Sequence, residues 1–104
     1  MARVLVVCRR PQHLSASEAD AWVRDEIARL PLPEGIERLE LTRLCPAGSG
    51  HVAPGDWLCE LYLRDGVDAD GCVDHPVCAQ WLCDLRLLGM RPTVAVTRSA
   101  ELAR

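Results

Sequence analysis

Three residues, Glu60, Tyr62 and Arg64, have side chains that can do chemistry at a spacing of two. They lie in the stretch Asp56-Trp-Leu-Cys-Glu-Leu-Tyr-Leu-Arg64. Side chains at every second position share one face of a β-strand. A carboxylate, a phenol and a guanidinium on one face could move a proton and fix a ligand in a pocket. The same trio also suits a dimer interface, with an Arg–Glu pair and a tyrosine hydroxyl that finds a partner. The opposite face, Trp57, Cys59, Leu61 and Leu63, is wholly apolar.

The three histidines fall in loops or at a helix start. His13 or His51 beside Glu60 would serve as a general base, because imidazole titrates near neutrality. Their spacing alone does not bring them together, and exposed loop histidines are the simpler explanation. His75 suits a helix start. Cys72, His75, Cys78 and Cys83 form a local group, but Cys78 and Cys83 would sit about 140° apart on a helix. Structural zinc sites use paired knuckle spacings instead, so no metal site is expected. Asp65, Asp68, Asp70 and Asp74 lack the distal bidentate Glu of a calcium loop and read as an acidic solvated turn. No cofactor-binding motif is present: there is no glycine-rich phosphate loop and no nucleophile elbow.

These residues need elements to position them. Val4-Leu-Val-Val-Cys8 is a β-branched run suited to a strand buried on both faces. Ser15-Ala-Ser-Glu18 has the spacing of a capping box, which predicts a helix over 16–30. Its stripe is Ala19, Trp22, Val23, Ile27 and Leu30, with Asp25–Arg29 an available i,i+4 pair. Pro31 and Pro33 stop it. A second strand of mixed polarity spans 36–45, with Leu39 and Leu41 on one face and Arg38, Glu40 and Thr42 on the other. A loop of chain-breaking residues leads to the strand of Glu60. A second helix opens near His75-Pro76, with Val77, Cys78, Trp81, Leu82, Leu85 and Leu88 inward, and ends at Gly89. Thr93–Thr97 is a fourth strand, and 99–104 a tail with room for one helical turn.

The order β-α-β-β-α-β over 104 residues predicts a single α+β domain. The expected fold is the ferredoxin-like plait: a four-stranded antiparallel sheet, two helices on one face, first and third strands central. Two helices cover only one sheet face. The other is half apolar, which points to a homodimer with two sheets facing each other and closing a barrel.

The chain resembles the dimeric α+β barrel superfamily. The resemblance rests on the order of elements, the strand Trp57–Asp65, the acidic loop, His75-Pro76 opening a helix, and Arg91-Pro92 before a Val-rich last strand. That superfamily includes EthD-type proteins, antibiotic-biosynthesis monooxygenases, muconolactone isomerases and stress-responsive barrel proteins. The resemblance implies a small organic ligand between sheet and helices or within the barrel. It implies no particular catalytic residue.

Composition narrows the classes. Net charge is −3, from 12 basic and 15 acidic residues, and every basic residue is Arg. Such a balance gives no footprint for nucleic acid or an anionic membrane. The absence of Lys, Asn and Phe reflects GC-rich codon usage rather than phosphate binding. No run approaches the ~20 apolar residues of a membrane helix. The first ten residues are too short of apolar length for a signal peptide. The expected compartment is the cytoplasm, and the six cysteines are expected as reduced thiols. Two functional classes stay open. One is a small enzyme or binding protein for a small apolar or aromatic molecule, working without a bound cofactor by oxygenation or isomerisation. The other is a non-catalytic structural or regulatory dimer.

Overall fold

A computed structural model describes residues 2–97; the tail expected over 99–104 lies outside them. The elements are β1 (Arg3–Cys8), α1 (Ala16–Arg29), β2 (Ile36–Arg43), β3 (Trp57–Leu63), α2 (Ala69–Asp74), α3 (Pro76–Leu88) and β4 (Thr93–Val96). The four strands make one antiparallel sheet in the order β2-β3-β1-β4. The two most strand-like runs of the sequence therefore occupy the centre.

Alternation sorts the faces. Val4, Val6, Cys8, Trp57, Cys59, Leu61 and Leu63 are buried and form one core with Ala19 and Val23 of α1 and Trp81, Leu82 and Leu85 of α3. Full burial of a leucine such as Leu61 or Leu85 stabilises the fold by about 1.5–3 kcal/mol. The opposite face holds Leu5, Val7, Leu58, Glu60 and Tyr62, all half-buried. β1 is thus buried on one face within a single chain, not on both as its run of apolar residues predicts.

The capping box at α1 forms in full: the Ser15 hydroxyl accepts from the Glu18 amide at 3.2 Å, and the Glu18 carboxylate accepts from the Ser15 amide at 3.0 Å. Arg29 pairs with Glu26 at 2.8 Å rather than with Asp25. Gly89 ends α3 at φ 93°, a left-handed conformation that favours glycine. Part of the acidic stretch departs from the solvated turn. Asp68 caps α2 by accepting from the Gly71 amide at 3.1 Å, and the short helix buries Ala69 and Cys72 against the core. Among the described residues the helical layer therefore contains three helices.

Two devices fix the sheet that carries the polar face. Ile36 pairs with Leu63, and Arg38 pairs with Tyr62, so Glu37 is an extra residue in β2. This bulge keeps Ile36, Leu39 and Leu41 toward the helices and turns Arg38, Glu40 and Thr42 to the open face. The loop from β2 back to β3 closes tightly on β1. The Asp56 amide donates to the Cys8 carbonyl at 2.8 Å, and a Cβ on Gly55 would lie 2.5 Å from Val7 Cγ1.

Candidate functional site

The register of three strands assembles a cluster on the open face. Tyr62 stands opposite Arg3 of β1 and Arg38 of β2, and Glu60 stands opposite Glu40. The Tyr62 hydroxyl lies 3.1 Å from Glu40 Oε2 and 3.2 Å from Glu60 Oε2. Arg3 reaches Glu60 at 2.6 Å, and Arg38 reaches Glu40 at 3.2 Å. The Arg38 guanidinium also lies over the Tyr62 ring, 4.0 Å from its centre, and that of Arg3 lies at 5.7 Å. Two cations and two anions thus surround one phenol.

The geometry has a chemical consequence. A phenol carries one O–H hydrogen, so Tyr62 donates to one carboxylate at a time. The other oxygen is left to accept from a different donor, such as an incoming hydroxyl or amine. Glu60 is the more enclosed acid, with its side chain 13% exposed against 48% for Glu40. Beside the cluster, Leu5, Val7 and Leu58 give an apolar floor.

The other sequence candidates go elsewhere. Arg64 follows the end of β3, and its Nε donates to the Glu34 carbonyl at 3.0 Å, beside the α1–β2 turn. His13 is exposed near the start of α1, where its charge, after the two Ser15 hydrogen bonds, helps to hold the Glu18 carboxyl below its usual range. His51 is exposed in the β2–β3 loop. No hydrogen bond or ion pair joins either histidine to the cluster among the described residues. His75 caps α3, its Nδ1 accepting from the Val77 amide at 3.2 Å. Arg3, Arg38 and Glu40 complete the cluster although sequence reasoning did not single them out as site residues. The polar alternation of the second strand was the available signal for two of them.

Four of the six cysteines behave as buried hydrophobes. All six are free; Cys8, Cys59, Cys72 and Cys78 are buried, and Cys45 and Cys83 are exposed. Burial, followed by the Cys72 side chain, pushes the Cys78 thiol up to about 11. Hydrogen bonding to Cys8, then burial, raises Cys59 further. Among the described residues no group of three or more His, Cys, Asp or Glu side chains is placed to hold a metal ion. Between sheet and helices, beside Val4, Leu61 and Trp81, there is a void of about 10 Å³. A small organic ligand needs a site of several hundred Å³. No described helix is long and apolar enough to cross a membrane.

Comparison with known proteins gives a fold without a close sequence relative. No family model matches the chain, and no curated sequence matches it. Among solved structures, the Arabidopsis thaliana protein At3g17210 superposes with a TM-score of 0.71 at 9% identity, covering 100% of both chains. An ethyl tert-butyl ether degradation (EthD) family protein from Bacillus halodurans superposes with a TM-score of 0.71 at 14% identity, covering 96% of this chain and 99% of that one. The chain therefore has the α+β fold of EthD-type structures, as the resemblance in its sequence implies.

Proposed function

We propose that this chain is one subunit of a homodimer whose two sheets face each other and close a barrel. The barrel holds a small, largely apolar or aromatic molecule against the Glu60–Tyr62 cluster. The carrying observation is the Tyr62 hydroxyl, shared by two carboxylates beside an apolar floor on a face that nothing covers among the described residues. Such a site can take a proton from a bound molecule without a bound cofactor: returning it at another position is isomerase-like chemistry, and reaction of the deprotonated molecule, as electron donor, with molecular oxygen is monooxygenase-like chemistry. Glu60 is the proton acceptor, Tyr62 orients the ligand, and Arg3 and Arg38 balance the charge. Arg64, His13 and His51 remain candidates only if the second copy brings them toward the barrel. The free thiols are in keeping with a reducing, cytoplasmic location.

A second reading is favoured by one feature: every charge of the cluster is already paired within the chain. On that reading the dimer is a structural or regulatory module and the cluster serves its interface. A thermal-shift screen against small phenols and quinols separates the two. The first reading expects ligands that raise the melting temperature of the native protein and lose that effect in Tyr62→Phe. Retention of the full shift in Tyr62→Phe removes Tyr62 from the site, and a complete lack of shifts in the native protein selects the module.

A further inference from the structure

The helical layer, on the opposite side of the sheet from Glu60 and Tyr62, carries a groove of its own. The C-terminal end of α1 passes the N-terminal end of α3, and the two leave a space of about 400 Å³ between them. That is the size of a small-molecule site. Leu30, Pro31, Pro76, Val77 and Trp81 give it apolar walls. The two prolines stiffen its shoulders, one just past the end of α1 and the other opening α3.

Trp81 is the informative wall. It is 3% exposed, and its indole N–H is buried with no acceptor among the described residues. A buried donor without a partner is rare in native proteins and unfavourable. The void of about 10 Å³ behind Trp81 supplies none, because its other walls are aliphatic or thiol side chains that give a water no further partner. The polar groups at the rim are occupied with each other: Arg29 with Glu26 at 2.8 Å, and Gln80 with Asp84 at 2.9 Å. Two rim carboxylates against one guanidinium disfavour an anion, and a cation offers the indole nothing to bond.

We propose that the α1–α3 groove binds a neutral, largely apolar small molecule bearing a carbonyl oxygen, which accepts the Trp81 indole hydrogen. The N–H has almost no exposed surface, so binding includes a small tilt of the ring that turns the N–H toward the groove. This proposal is independent of the sheet-face reading above, and none of its lining residues belongs to a strand.

The test uses two probes of nearly equal shape, benzophenone and diphenylmethane, which differ by the carbonyl. In ¹H–¹⁵N spectra of the whole chain, its three tryptophans give three indole signals. Benzophenone is expected to move the signal that disappears in Trp81→Phe downfield, as a hydrogen bond to the indole does, and diphenylmethane to shift it only by the ring currents of a bound aromatic. Trp81→Phe should bind benzophenone roughly three- to tenfold more weakly, the effect of one lost neutral hydrogen bond, with diphenylmethane unaffected. Gln80→Trp, at an exposed position of α3, should block both probes without unfolding the chain. Equal binding of the two probes overturns the proposal. So does movement of the Trp22 or Trp57 signal instead, full binding by Gln80→Trp, or no binding up to the solubility of benzophenone.

Discussion

At the scale of single residues, the open face depends on Tyr62. Glu40 and Glu60 are directly opposite across β2 and β3, and like charges at that position repel. The shared phenol hydrogen and the flanking Arg3 and Arg38 offset this repulsion. Tyr62→Phe keeps the ring beneath Arg38 and deletes the hydrogen. The expected loss is about 1 kcal/mol in urea unfolding; an unchanged midpoint would mean that the arginines alone hold the two acids apart. Gly55 is a different case, governed by space. A methyl there would overlap Val7 Cγ1 at 2.5 Å and the Cys8 carbonyl at 2.8 Å, so Gly55→Ala should cost about 1–3 kcal/mol by the same measurement. Glu60 and Tyr62 were legible in the sequence because strand alternation needs only one segment. Arg3, Arg38 and Glu40 were not, because their place depends on register. Arg38 meets Tyr62 only through the extra residue at Glu37, and a one-residue slip would have turned the whole polar set toward the helices.

At the scale of elements, α1 is tied to the sheet by Asp20. Its carboxylate accepts from Arg43 at 2.9 Å, Arg24 at 2.8 Å and the Trp57 indole at 3.2 Å, joining α1 to the ends of β2 and β3. These donors, Arg43 first, lower its pKa to about 2. An unfolded aspartate titrates near ~3.9. The folded value is the lower one, so the unfolded chain takes up the proton first as pH falls. The stabilisation is complete above the unfolded value and is lost as pH drops from about 4 to about 2. Asp20→Asn should therefore unfold with a shallower acid dependence in that window, measured as urea midpoints between pH 5 and pH 2; an identical slope would place the acid sensitivity elsewhere. The helix itself was legible, down to the Ser15–Glu18 box, because capping is local. The tie was not, since Asp20 and Trp57 are 37 residues apart. α2 escaped for another reason. Its acids and Gly71 are poor helix formers, and the Asp68 cap together with burial of Ala69 and Cys72 overrides that preference.

At the scale of the whole molecule, the chain is a slab of 40 × 39 × 18 Å. Its thickness is that of two layers, one of sheet and one of helices. The helices satisfy one sheet face, and the other presents Leu5, Val7 and Leu58 around a charge-balanced cluster. Sequence order sufficed for the layers and the strand order, because short connections and right-handed crossovers leave few alternatives. It could not say what meets the bare face, since that depends on a surface outside the chain. A second copy is the economical partner, because a two-fold axis lets one neutral, half-apolar face serve both sides. The native protein is then expected to elute and scatter light at twice the chain mass at micromolar concentration. Its melting temperature should also rise with concentration, by mass action. Leu58→Arg sets an unpaired charge beside Val7 and Thr42 on the apolar end of that face. Leu58 is only half-buried in one chain, so the variant should keep its circular dichroism while scattering as a single chain. A native protein that is monomeric under these conditions would leave the sheet face bare and take the barrel, together with any ligand enclosed in it, out of consideration.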